Sequence, residues 1–211
     1  YRGRIEDYER ALQDAERRLQ SAWGSYDSRE TLLTAGRIAE LQGEDPKRIL
    51  TTVYGILMER APDFAPGFVA AGRLASSKGS YATAAEYFEN ALEADPHEQD
   101  ALAGLAACYW QSRDERLEAT LVRLEELNPH LPEGVALRVE MLLDARDVDK
   151  ALEWIEGVLE TNPNQLHFRA LKAAALFLRD DEAGMESVQR DTLRFNPRCS
   201  EVYRVPGRVA T

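Results

Sequence analysis

The apolar residues of this chain fall into short helical stripes, not into alternating or long continuous runs. Between Ala65 and Pro96, Phe68, Ala71, Gly72 and Ala75 lie on one helical face, and Ala84, Tyr87, Phe88, Ala91 and Leu92 lie on a second. Two amphipathic helices are predicted. The segment from Lys78 to Tyr81 separates them, and Gly79 can take a positive φ beyond the first helix at little steric cost. Such a pair folds back as an antiparallel hairpin. Small residues at Ala71, Gly72, Ala84 and Ala91 let its helices approach, and Phe68, Phe88 and Leu92 supply bulk. Phe88 and Leu92 are expected to be buried between successive hairpins.

Prolines mark a period. Pro62, Pro96, Pro129, Pro163 and Pro197 are separated by 34, 33, 34 and 34 residues, and the last four sit in Asp-Pro or Asn-Pro pairs. Each ends one helical pattern and precedes another, as a ring without an N–H must. The unit after Pro96 has Leu102, Leu105, Ala106 and Tyr109 on its first helix and Leu117, Leu121 and Leu124 on its second. Further on, Ala151, Ile155, Val158 and Leu159 form a second helix, and Phe168, Leu171, Ala175 and Leu176 precede Met185, Val188, Leu193 and Phe195. Upstream, Leu32, Ala35, Gly36 and Ala39 open a unit with about two extra residues before Pro62, expected around Asp45-Pro46.

An aromatic, a small pair, then alanine, phenylalanine, alanine and proline at these offsets resembles the tetratricopeptide repeat, best over residues 65–98. The resemblance implies an all-α fold, a right-handed superhelical solenoid of antiparallel helix pairs. It divides the chain into an N-terminal capping helix (1–28), five repeats (about 29–64, 65–98, 99–131, 132–165 and 166–199) and the truncated start of another (200–211). Arg138 departs from the pattern, standing where the family favours leucine.

At the N-terminus, Ile5, Tyr8, Leu12, Ala15, Leu19 and Trp23 make a stripe that predicts a helix over residues 3–23. At the other end Tyr203 and Gly207 repeat the opening spacing, but Pro206 is expected to disrupt a continuing helix by ~3 kcal/mol. A start at Tyr1 and a stop within a repeat lead us to expect a piece of a longer protein. The run from Phe195-Asn196-Pro197-Arg198 to Tyr203 is also similar to repeat segments that precede a zinc metallopeptidase domain in some large bacterial proteins. That likeness implies an accessory region of an enzyme, positioning substrate or docking the catalytic domain, although no zinc ligand of such a peptidase is present.

The net charge of -11, from 26 basic and 37 acidic residues, is spread evenly over both halves. Such a field repels phosphate backbones, and no basic cluster interleaved with aromatics offsets it, so nucleic acid is not an expected partner. No apolar run reaches the 18 to 20 residues, roughly, of a spanning helix, so membrane insertion is not expected. Cys108 and Cys199 belong to no Cys-x-x-Cys pair and read as ordinary thiols, which leaves the compartment open between cytoplasm and periplasm.

Chemistry is sparse. His97 and His130 each follow a repeat-ending proline and read as turn residues, and His167 belongs to no motif. Glu125-Glu126 and Asp180-Asp181-Glu182 read as solvated charge, since a working pair of carboxylates needs opposed environments. No catalytic residue, metal ligand or cofactor is expected. The expected function is a protein–protein interaction scaffold, a monomer that holds a peptide or folded partner on a concave face. In the tetratricopeptide family that face is lined by positions two, five, nine, twelve and thirteen of each first helix. Position nine holds Arg37, Arg73, Ala107, Glu140 and Ala174; position twelve holds Glu40, Ser76, Trp110, Leu143 and Phe177. Arg37, Arg73, Trp110, Glu140 and Phe177 are thus the candidate partner-binding residues, with Ala103, Ala107, Ala136, Ala170 and Ala174 leaving room. Trp110 lies about 100° around the helix from core Tyr109, so the two cannot share an interface. The lysine and asparagine set of the family's carboxylate-clamp members is missing, which disfavours a chaperone-tail receptor.

Overall fold

The computed structural model describes residues 28–209; the helix predicted over 3–23, with all but the last residue of the 1–28 segment, lies outside them. Among the described residues there are eleven helices and no strand, in two compact units that meet in sequence at Leu127 and Asn128. Among the described residues, the first unit opens with α1 (Arg29–Gln42). Its second helix, α2, runs without a break through Pro46–Arg48, a π-helical stretch Ile49–Tyr54 and Gly55–Arg60. Then come α3 (Ala65–Ser77), α4 (Tyr81–Ala94), α5 (Gln99–Ser112) and α6 (Leu117–Leu127). The second unit contains α7 (Pro132–Asp144), α8 (Val148–Thr161), α9 (Leu166–Leu178), α10 (Glu182–Phe195) and α11 (Glu201–Val209).

One turn closes all five hairpins. A residue in the left-handed region follows each first helix: Gly43, Gly79, Arg113, Arg146 and Asp180. The next N–H donates back to a carbonyl of the last helical turn, as in Glu44 to Ala39, Ser80 to Ala75 and Asp147 to Leu142 (3.1, 3.1 and 2.9 Å). Only two of the five are the glycines that favour this conformation. The last four of the five links that follow the hairpins are also alike, whereas the first, at Ala61-Pro62, has no Asx residue before its proline. The side chain of Asp95, Asn128, Asn162 or Asn196 accepts the N–H two residues on, across the intervening proline, at 2.9 to 3.3 Å. The Asx-Pro ladder is therefore a set of Asx turns, and His97 and His130 are their exposed third residues.

The first unit is held by rings laid on glycines. Phe88 of α4 is 1% exposed. A Cβ at Gly72 of α3 would lie 2.8 Å from Phe88 Cε1, and one at Gly104 of α5 would lie 2.3 Å from Cζ. The ring thus fills space that two neighbouring helices leave by having no side chain there. Gly36 of α1 and Tyr54 of α2 repeat the contact, with a Cβ at Gly36 falling 2.2 Å from Tyr54 Cε1. Leu92, expected to be buried with Phe88, is only half-buried. The buried Ala84, Phe88 and Ala91 centre the stripe to one side of it, so Leu92 lies on the margin.

The two extra residues of the first hairpin are also placed. Gly36 and Gly43 are spaced like Gly72 and Gly79, but the turn then takes one more residue to reach Asp45, the cap of α2, than to reach Ser80. That residue lies beside Asp45-Pro46 as expected. The other falls inside α2, between Asp45 and Tyr54, where the π-helical stretch takes it up without breaking the helix.

In the second unit Val139, Ile155, Phe168, Leu171 and Val205 share one buried cluster. Pro206, expected to disrupt a helix, is instead a buried residue within α11. It cannot donate to the Val202 carbonyl one turn back, and that oxygen accepts from Gln189 Nε2 of α10 at 3.4 Å instead. Packing of Val202 against Ala173, and of Val205 against α9, holds the turn in place.

A polar network joins α4, α5 and the turn after α5. Tyr109 donates to Glu89 Oε1 (2.7 Å), Arg116 bonds the same oxygen (3.0 Å), and Arg116 lies over the Tyr109 ring at 4.4 Å. Arg116 also bonds Asp114, and its guanidinium and then its backbone N–H hold that carboxyl down to about 2, from an ordinary 3.8.

Three outcomes follow. Phe88→Ala should destabilise by about 3 to 5 kcal/mol in urea melts, and Gly104→Ala should also destabilise; a Phe88→Ala loss within about 0.5 kcal/mol, as for surface substitutions, would contradict the placement of the ring. Arg146→Gly should stabilise by about 0.5 to 1 kcal/mol, the relief of left-handed strain less the extra freedom glycine gives the unfolded chain; a loss of stability would argue against the turn. A carboxyl whose folded pKa is depressed stabilises fully above its unfolded value and loses that contribution as pH falls through the folded one. The Asp114 contribution should accordingly be complete above about pH 4 and be lost toward pH 2, with a carboxyl ¹³C midpoint near 2 that Arg116→Ala moves back toward 3.8; a midpoint near 3.8 in the unsubstituted chain would refute the pairing.

Candidate functional site

The first helices of the first unit, α1, α3 and α5, present Arg37, Arg73 and Ala107 at one register position, and all three are exposed. Arg73 Nη2 lies 2.9 Å from Asp100 Oδ2 at the start of α5, with the two side chains 53% and 47% exposed. A pair this open is screened by water and exchanges partners at little cost. Arg37 makes no ion pair among the described residues. Trp110, one turn beyond Ala107, is half-buried under Arg113, whose guanidinium stands 5.3 Å from its ring centroid, while Tyr109 points into the core. Arg37, Arg73 and Trp110 thus lie on three successive first helices of the first unit.

Glu140 and Phe177 belong to the second unit. Glu140 Oε1 is 4.0 Å from His167 Nε2, and His167 Nδ1 is 2.8 Å from Glu201 Oε1, so an imidazole of α9 sits between carboxylates of α7 and α11. Phe177, near the end of α9, is 37% exposed. The expectation that small residues leave room holds for exposed Ala107 and half-buried Ala103, but Ala136, Ala170 and Ala174 are buried. Ala170 and Ala174 lie in one cluster with Val205, because α11 packs onto α9 at that place.

A pattern missed in the sequence emerges from these distances. Arg73 with Asp100, and Glu140 with His167, each join position nine of one first helix to position two of the next. Listing the second positions, Glu30, Pro66, Asp100, Glu133 and His167, beside the ninth would have revealed opposite or complementary groups at two of the steps.

Little else in the described residues is equipped for chemistry. They contain no group of three or more His, Cys, Asp and Glu side chains able to hold a metal ion. Both cysteines are buried and free, and burial pushes the Cys108 thiol up, away from the reactive thiolate. A cleft of about 880 Å³ in the second unit runs between α8 and α10 over α9. Lys172 bonds Glu156 on its wall (3.1 Å), and no buried side-chain polar atom lacks a partner there or elsewhere in the described residues. No described helix is long and apolar enough to cross a membrane.

Residues 75–116 match the family described as tetratricopeptide repeat. No curated protein matches the chain in sequence. Among solved structures, a tetratricopeptide repeat protein from Parabacteroides merdae is 14% identical, with 94% of this chain and 77% of that one covered at a TM-score of 0.73. TTC0263, a thermophilic protein of the same kind from Thermus thermophilus, is 14% identical over 87% of this chain and 99% of its own, at 0.70. YrrB, described as having an unusual peptide-binding site, is 17% identical over 88% of this chain and 95% of its own, at 0.55. At such identities the likeness is one of fold. With the helix pairs and Asx-Pro links in place, the chain has the all-α fold of tetratricopeptide-repeat structures, and residues 75–116 carry the repeat in sequence as well.

Proposed function

We propose that the chain is an interaction scaffold that binds an extended protein segment along the first-helix face of its first unit, through a carboxylate at Arg37 and Arg73 and an apolar side chain at Trp110. The observation that carries this reading is the shared register of two exposed arginines on adjoining first helices, next to exposed Ala107 and accessible Trp110. Arginine binds a carboxylate through charge-assisted, often forked hydrogen bonds, and on a chain of net charge -11 these two are local exceptions to the field. A partly exposed indole beside a residue without bulk supplies the kind of aromatic anchor that dominates many interfaces. YrrB supports the reading only as a protein of this fold with a peptide-binding site.

We read the five helix pairs as five repeats, each spanning one first helix, one second helix and the link that follows. The second unit, taken by itself, offers a different chemistry. Glu140 faces His167 and would take a basic group, and Phe177 would take an apolar one.

The test is a fluorescence-anisotropy panel of short extended peptides, each with one acidic and one apolar anchor at varied spacing. The tightest binder should lose roughly tenfold or more in affinity to the Arg37→Ala/Arg73→Ala/Trp110→Ala variant, and its binding should weaken with added salt. A triple variant with an unchanged helical spectrum and unchanged affinity would refute the proposal.

A further inference from the structure

The first hairpin differs from the second in one feature that bears on Arg37. Gly36 and Tyr54 stand to each other as Gly72 and Phe88 do, but Tyr54 carries a hydroxyl and closes the π-helical stretch of α2. Its ring has no exposed surface and lies flush on the α1 backbone at Gly36. From there the hydroxyl reaches Glu40 and donates to its Oε1. A buried phenol requires such a partner. Burial, and then Glu40 as acceptor, push Tyr54 well above the usual range of a phenol, so it remains a donor.

Glu40 stands three residues after Arg37 on α1, the spacing at which an acid and a base on a helix surface ordinarily meet. They do not pair here, and Glu40 turns to Tyr54 instead. The second hairpin needs no such device, since Phe88 has no hydroxyl and position twelve is Ser76. The extra residue in the π-helical stretch belongs to the same arrangement, and π-helical turns concentrate at functional sites.

We propose that Tyr54 is a specificity-determining positioning residue: by holding Glu40 against α2, it keeps that carboxylate off the Arg37 guanidinium and leaves the guanidinium open to a carboxylate of the bound segment. This rests on the first-helix face being a peptide site. Without the hydroxyl, Glu40 is free to swing onto Arg37, and the ligand's carboxylate must then compete with an acid of the same helix.

The test has two arms. Without any ligand, the Arg37 Nε–Hε NMR signal is followed in the unsubstituted chain, Tyr54→Phe and Tyr54→Phe/Glu40→Gln. It should move in the single variant and return in the double one. With the tightest acid-bearing peptide of the panel, Tyr54→Phe should bind about three- to fivefold more weakly, as for an exposed competing ion pair, and Tyr54→Phe/Glu40→Gln should regain the lost affinity. A purely structural hydroxyl would not be rescued by removing the acid. An Arg37 signal that stays in place, or a double variant as weak as the single one, overturns the proposal. A signal that moves and returns while Arg37→Ala binds as tightly as the unsubstituted chain overturns instead the reading of the face, so the two failures are told apart. Should Tyr54→Phe not fold, the unsubstituted chain carries the test: a Tyr54 hydroxyl proton protected from exchange supports the clamp, and a rapidly exchanging one overturns it.

Discussion

Helices can approach closely only where side chains leave them room, and in the first unit that room comes from glycine. Phe88 occupies space left by Gly72 on one side and Gly104 on the other, so a single ring fixes the separation of the two helices of its hairpin and the seat of the next. Tyr54 on Gly36 does the same one hairpin earlier. The contact works in both directions: without the ring there would be a void where three helices meet, and with a Cβ at the glycines the ring could not enter.

What this seating accomplishes lies one residue further along each first helix, about 100° around it from the glycine. Gly36 and Gly72 immediately precede Arg37 and Arg73, so the residue pressed against the ring and the residue turned to solvent are neighbours in sequence. An aromatic that fixes how a first helix sits also fixes where its arginine projects. The exposed register of Arg37 and Arg73 is therefore set by core packing, with no loop to support it.

Legibility in the sequence followed the physics. The hairpins were readable because proline and helical periodicity are local signals, and the Asx-Pro ladder was visible as spacing before its hydrogen bonds gave the reason. Gly79 announced its turn, whereas Arg113, Arg146 and Asp180 take the same left-handed conformation with no glycine to reveal it. The π-helical stretch left no mark beyond two surplus residues, and Pro206 misled because its compensation, Gln189, comes from another helix. Leu92 misled for another reason, since one residue at the edge of a stripe looks like any other member of it. For the candidate face, the exposure of Arg37 and Arg73 was legible from register alone, but the partners Asp100 and His167 and the capture of Glu40 by Tyr54 depend on distances between helices. The burial of Ala170 and Ala174 likewise depends on where α11 docks, which periodicity does not encode.

The central claim, that rings seated on glycines set the packing of the first unit, is tested most directly by ¹³C-edited NOESY on the chain in solution. The account predicts cross-peaks from the Phe88 ring protons to the α-protons of both Gly72 and Gly104, with those glycine signals displaced by the ring current. Cross-peaks confined to the Phe88 hairpin, with Gly104 at an undisplaced shift, would contradict it.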